Sequence, residues 1–256
     1  MAQMLVEPGR AEANLARAAA NIAQAGAAGA EIVVLPECLD LGWTHPSART
    51  QAQAIPGPAC DCLCQAARQA KLYVVAGLVE RAGPRIYNAA VLIDRQGRVL
   101  AKHRKINELD IARDLYSLGD RLGVTETELG TLGITICADN FPESLALGES
   151  LARMGAEALL SPCAWAVPAD HDNRQEPYGD LWRNAYGELA RRCGLPTVGV
   201  SNVGPLTAGP WAGRKCIGCS LAMSRDGQVL AEGPYGETAE ALLLVELSKR
   251  ERLSQL

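Results

Sequence analysis

Apolar positions along this chain follow two periods. Over Gly9–Gly29, Leu15, Ala18, Ala19 and Ile22 recur at helical spacing, and Gly26 and Gly29 close the segment. Glu31–Pro36 is then a short β-branched run stopped by proline, the signature of a buried strand. The pattern predicts a second helix over Pro58–Lys71 and a buried strand over Leu72–Val79. Tyr87–Asp94 and Arg98–His103 flank Arg95-Gln96-Gly97, whose glycine is free to take positive φ, so a hairpin is expected there. Further on, the spacing predicts strand Thr131–Cys137, helix Pro142–Met154, strand Ala158–Ser161, helix Tyr178–Cys193 and strand Thr197–Ser201. A loop rich in Gly and Pro runs to Arg214, and Ile217–Met223, Gln228–Ala231 and Ala241–Glu246 read as the last strands.

One stretch echoes another. Asn88–Ala101 and Gly218–Ala231 each place an apolar strand, a polar turn with glycine at the same position, and Val-Leu-Ala. Either turn chemistry has converged, or two similar αβ halves pack as paired sheets with helices outside. No linker or shift in composition divides the chain, so 1–256 reads as one domain. Met1–Val6 is short for a first strand and gives way at once to Glu7-Pro8-Gly9; either the domain lacks a full first strand or the recorded chain begins late.

Composition removes several classes of function. Twenty-five Lys+Arg against 29 Asp+Glu give a net charge of −4 with no basic run, which argues against a nucleic-acid partner. No stretch approaches the ~20 apolar residues of a membrane span, and Met1-Ala2-Gln3-Met4 lacks the basic flank and apolar run of a signal peptide. The nine cysteines are odd in number and several sit in apolar runs, so reduced thiols in a cytoplasmic protein are expected rather than disulfides. Cys60, Cys62 and Cys64 fall on the expected helix, where residues two apart diverge. Cys216 and Cys219 have redox spacing but lead into a strand. With His only at 45, 103 and 171, buried or incidental cysteine is the expectation, with no metal and no cofactor.

Three polar residues close apolar segments, where rigid structure aims a side chain at a cleft: Glu37 after Val33–Pro36, Lys105 after the first hairpin, and Cys137 after Leu132–Ile136. Only a fold can unite them. Taken singly, each is equally a solvated carboxylate, a surface lysine and a small buried hydrophobe.

Ile32–Glu37 followed by Gly42-Trp43 resembles the first motif of the nitrilase superfamily of carbon–nitrogen hydrolases. His103-Arg104-Lys105-Ile106 is similar to its lysine motif, and Gly133–Glu143 around Cys137 to its nucleophile motif. Leu160–Pro162 with Trp165, then Val200–Gly204 and the second hairpin, follow in the family's order. The resemblance implies a four-layer αββα sandwich and a Glu37–Lys105–Cys137 triad hydrolysing a small amide or N-carbamoyl compound through a thioester. Glu37 is then the general base, Lys105 the cation that favours thiolate and steadies the oxyanion, and the Ala138 N–H a second oxyanion donor. It also implies a carboxylate orienting the lysine, for which Glu108 is favoured, with Asp110 and Asp114 as rivals. Cys137-Ala138-Asp139 resembles the amidase and carbamoylase branches, where nitrilases proper carry Trp-Glu. Trp43 and Trp165 are candidate pocket walls or ordinary core, and Asn140 a substrate ligand or the cap of the helix near Pro142. Arg174 and Arg214, in loops, and Arg183, on the expected helix Tyr178–Cys193, are each a receiver for a substrate carboxylate or an ordinary surface arginine. A homodimer or larger homo-oligomer is implied as well. Two competing readings are a non-catalytic relative acting as a binding partner and a thiol–disulfide protein using Cys216 and Cys219.

Overall fold

The computed structural model describes residues 1–247. After β1 (Ala2–Gln3) and α1 (Ala11–Ala27), β2 (Ile32–Val34) enters a four-stranded sheet. A crossover through α2 (Ala48–Gln51) and α3 (Pro58–Ala70) leads to β3 (Tyr73–Ala82), parallel to β2. β4 (Arg85–Ile93) and β5 (Val99–Arg104) complete this sheet as antiparallel hairpins.

The second half begins with β6 (Val124–Thr127) and β7 (Gly130–Ile134), and α4 (Leu145–Arg153) carries the chain to β8 (Ala158–Cys163). Beyond β9 (Ala166–Val167) and α5 (Asp180–Cys193) come β10 (Thr197–Ser201), β11 (Val203–Pro205), β12 (Lys215–Ile217), β13 (Leu221–Met223) and β14 (Val229–Glu232). The six-stranded sheet has the order β14-β13-β10-β8-β7-β6, parallel at its centre and antiparallel at both edges. β11, β12 and β9 form a small sheet, and β15 (Ala241–Leu242) pairs with β1.

The period of two along each strand sorts side chains into layers. Val33, Val74, Ala76, Leu78 and Val91 meet Ile22 of α1 and Leu63 of α3 on one side of the first sheet. Their neighbours Val34, Val75, Ala90 and Leu92 face Ile134, Leu160, Val198 and Ala222 of the second sheet. On that sheet's other side, Leu159, Leu221 and Met223 pack against Leu151 of α4 and Tyr186 and Leu189 of α5. The result is the expected αββα sandwich. Alanine at 18, 25, 66 and 67 lets α1 and α3 lie close together.

Four features depart from expectation. β3 and β4 form the longest hairpin, turning at Gly83 with φ 60°, and β6 was without a clear alternating pattern in the sequence. The run Ile217–Met223 is not one strand: Gly218 and Cys219 take φ 69° and 59°, which ends β12 and starts β13 in another sheet. The helix expected from Pro142 begins as a 3-10 turn at Pro142–Ser144 and becomes α-helical only at Leu145. Among the described residues, no helix is long and apolar enough to cross a membrane.

Candidate active site

Both sheets deliver polar residues to one end of the sandwich. Glu37 follows β2, Lys105 follows β5 directly, Cys137 follows β7, and Trp165 follows β8. The sheets are tied at this end by the Glu37 N–H, which donates to the Cys163 carbonyl at 3.1 Å. Glu37, Lys105 and Cys137 line one cavity of about 180 Å³, together with Ala138, Trp43 and Trp165.

Lys105 is almost wholly buried, and its Nζ donates to Glu37 Oε1 at 2.7 Å. Glu108 Oε2 stands 3.8 Å from the same Nζ. Burial opposes the ammonium charge, but Glu108 and Glu37 overcome it and hold the Lys105 pKa well above its usual value. Glu108 itself is pushed up to about 7, because burial outweighs the pull of Lys105 and Glu37 and Asp139 add like charge. Of the three candidate carboxylates Glu108 is therefore the one beside the lysine. Asp110 pairs with Arg113 at the surface and Asp114 is exposed.

Glu37 is held from behind. Asn88 Nδ2 on β4 donates to Oε1 at 2.5 Å, whereas Oε2 is buried without a hydrogen-bond partner among the described residues. Glycine at 77 is required by this turn: a Cβ there would lie 2.5 Å from Glu37 Cα and 2.7 Å from the Pro36 carbonyl.

Cys137 takes φ 44°, a strained conformation for a residue with a side chain, at the start of a 3-10 turn. Its N–H donates to Ser161 Oγ at 3.1 Å, while the Ala138 N–H has no acceptor among the described residues. A bond to the Cys163 thiol, burial and the charge of Glu37 push the Cys137 thiol well above its usual range, against the pull of Lys105. At rest it is a thiol, so its proton needs a base.

Asp139 joins the nucleophile turn to the lysine segment. Its Oδ2 accepts from Ile136 N–H at 2.9 Å and bonds His103 Nε2 at 2.8 Å; Oδ1 accepts from the N–H groups of Asn107 at 2.8 Å and Ile106 at 3.1 Å. Burial opposes its charge, but these bonds hold its carboxyl below the usual range. Sequence reasoning assigned Asp139 no role, and its only signal was its place two residues after the cysteine.

Asn140 lies elsewhere than expected. Its Nδ2 donates to Ser161 Oγ at 2.9 Å behind the nucleophile, it does not line the cavity, and it caps no helix. Trp43 and Trp165 serve both readings offered for them, since each packs in a core and lines the cavity. The three arginines do not line it. Arg183 pairs with Asp180 and Glu232, Arg214 stacks 4.4 Å from the Trp211 ring centre, and Arg174 is exposed. Unanticipated lining residues are Phe141, Tyr178, Trp182 and Trp211.

Among the described residues, none of the other cysteines lines the cavity. All nine thiols are unpaired. Cys216 and Cys219 lie in different cores, each pushed up to about 12 by burial, which does not fit a redox pair. On α3, Cys60 and Cys64 meet across one turn at 4.0 Å with Cys62 outside that contact. Among the described residues, no group of three His, Cys, Asp or Glu is placed to hold a metal ion.

The chain is similar to known proteins over most of its length. The carbon-nitrogen hydrolase family model matches residues 1–253. A nitrilase of Pyrococcus abyssi is 32% identical over 254 residues, covering 96% of this chain and 87% of that protein. An omega-amidase of Xenopus tropicalis is 32% identical over 176 residues, 64% of this chain, and the match spans only 62% of that protein's length. Among solved structures, a carbon-nitrogen hydrolase of Helicobacter pylori superposes with TM-score 0.83 at 21% identity, covering 96% of this chain and 87% of that one. A mutant amidase of Nesterenkonia sp. AN1, with acrylamide added to its active-site cysteine, superposes with TM-score 0.80 at 24% identity over 96% and 91%. On the match of its whole described length to the family, the chain belongs to the carbon-nitrogen hydrolases of the nitrilase superfamily.

Proposed function

We propose that this protein is a cofactor-free amidase that hydrolyses a small linear amide or N-carbamoyl compound through a thioester on Cys137. The observation that carries this reading is the Glu37–Lys105 pair at 2.7 Å in the cavity that Cys137 also lines. An amide resists attack because its carbonyl is resonance-stabilised and its amine leaves poorly. The resting Cys137 thiol is protonated, and the unpartnered Oε2 of Glu37 is a free acceptor for that proton as sulfur attacks the carbonyl carbon. Lys105, charged throughout, and the Ala138 N–H receive the developing oxyanion. Collapse of the tetrahedral intermediate breaks the C–N bond, and Glu37 returns its proton to the leaving ammonia or amine. Water, deprotonated by the same carboxylate, then attacks the thioester and releases the acid and the thiol.

Lys105 and Glu37 have distinct duties here. Oε1 is tied to Lys105 and Asn88, which fixes the carboxylate, so Oε2 shuttles the proton without rotating. An ammonia-release screen over small amides, ureides and nitriles, with Cys137→Ala as control, tests the reading. Release from an amide that vanishes in the folded variant is expected; release that persists contradicts it. The nine free thiols accord with a reducing, cytoplasmic setting, and the homodimer or larger assembly implied by the family is testable by light scattering.

A further inference from the structure

Aromatic residues are scarce in this protein, with one Phe and four Trp in 256 residues. All five line the 180 Å³ cavity. Trp43 and Trp211 meet edge to face at 4.8 Å, while Trp165 stacks on Trp182 at 4.7 Å and Phe141 lies 5.3 Å from Trp182. Tyr178 joins the second group, its hydroxyl accepting from Trp182 Nε1 at 2.9 Å. Such edge and stacked contacts fix ring positions, so the walls are rigid.

Charge is confined to one end of this space. Among the described residues, the only Lys, Arg, His, Asp or Glu side chains lining it are Glu37 and Lys105, already bonded to each other. A carboxylate on the far end of a substrate meets no cation there, and burying it unpaired among rings is unfavourable. A distal ammonium has ring faces but no carboxylate to neutralise it. As to size, a dry cavity of about 150 Å³ accepts benzene, so 180 Å³ accommodates an acyl group of roughly that bulk.

We infer that the substrate is a compact, uncharged amide whose acyl part is apolar, about six to eight carbons or one aromatic ring in size, seated between the two aromatic groups. The inference rests on the amidase reading and specifies the substrate of that site. Leu181, which lines the cavity yet is 45% exposed, marks the mouth where a cation would redirect the preference.

Three amides of equal chain length decide the matter: hexanamide, 6-aminohexanamide and the monoamide of adipic acid. We expect kcat/KM for hexanamide to exceed both charged analogues by about 100-fold, as an unpaired buried charge demands. Either charged amide coming within tenfold of hexanamide, or overtaking it, overturns the inference. Leu181→Arg is expected to raise the ratio of adipic monoamide to hexanamide at least tenfold; an unchanged ratio counts against an acyl group passing that residue. Acrylamide labelling separates the two levels. If none of the three amides is hydrolysed but acrylamide labels Cys137 in the folded protein, the substrate class is wrong and the nucleophile stands. Neither hydrolysis nor labelling sinks the amidase reading itself.

Discussion

At the scale of single residues, the site is a set of charges that hold one another in place. Glu108 supplies a testable signature, because its carboxyl is pushed up to about 7 and lies next to the Lys105–Glu37 pair. As pH rises through 7, Glu108 ionises, and its negative charge 3.8 Å from Lys105 Nζ holds in place the ammonium that receives the oxyanion. The Cys137 thiol titrates well above this range and does not account for the limb. The kcat/KM profile is therefore expected to rise through pH 7 in the wild type and to lose that limb in Glu108→Gln. Asp139→Asn tests the clip between the two segments. It puts an amide N–H₂ where Oδ2 now bonds Ile136 and His103, and is expected to cost ~2–4 kcal/mol of stability in a denaturant titration. A loss within 0.5 kcal/mol contradicts the assigned role. The sequence exposed Glu37, Lys105 and Cys137 because each ends an apolar segment. It left Glu108 undecided among three acids, since only the fold shows which of them is buried beside the lysine. Asn88 and Ser161 were illegible because their partners are remote in the chain, and Asp139 because His103, Ile106 and Asn107 are, even though Ile136 is near.

Among elements, strands were read well wherever they alternate or run apolar, and breaks were missed wherever a backbone torsion decides. Nothing in the composition of Ile217–Met223 announces the positive φ of Cys219 that parts β12 from β13. The echo between Asn88–Ala101 and Gly218–Ala231 is structural. The hairpins β4–β5 and β13–β14 share the same turn bonds: Asp94 N–H to the Arg98 carbonyl at 2.9 Å and Ser224 N–H to the Gln228 carbonyl at 2.8 Å. Each also shifts register at the same place, Leu92/Ile93 and Ala222/Met223. Asp94 Oδ1 and Ser224 Oγ play one part, each accepting from the N–H four residues on at 2.9 Å. The contact between β3 and the Glu37 turn carries a prediction. Gly77→Ala adds a methyl that collides with backbone at Glu37, Pro36 and Cys38, which cannot move without displacing the carboxylate. A loss of about 1–3 kcal/mol is expected from overpacking, with a fall in kcat larger than any change in KM. Unchanged kcat with lowered stability would show that the turn yields without moving Glu37.

For the whole molecule, two halves of similar build place their sheets face to face, and the site sits where strands of both sheets end. The same burial that shapes the site gives opposite pH trends. Asp40 is buried with its carboxylate oxygens at 3.1 and 3.3 Å from the Val79 N–H, and its pKa is raised to about 7 by burial against that backbone bond. A carboxyl raised in the folded state binds its proton more tightly there than in the unfolded chain. Its stabilising contribution is full below the usual carboxylate range and is lost as pH rises to 7. Glu108 acts in the same direction. Stability in urea is expected to fall between pH 5 and pH 8 while activity rises, and Asp40→Asn to flatten the stability slope. A steeper slope in that variant would contradict the assignment. The layered architecture was legible from the resemblance of ordered motifs, whereas most of the aromatic cavity beyond Trp43 and Trp165 was not, because Phe141, Tyr178, Trp182 and Trp211 lie on separate segments that only packing unites.

The central claim is that Cys137 carries the acyl group during turnover. Rapid-quench mass spectrometry under turnover with a hydrolysed amide tests it directly: the mass of the acyl group should reside on the Cys137 peptide alone among nine cysteines, and disappear in Cys137→Ala together with ammonia release. Steady turnover with no acyl mass on that peptide, undiminished in the variant, would contradict the account.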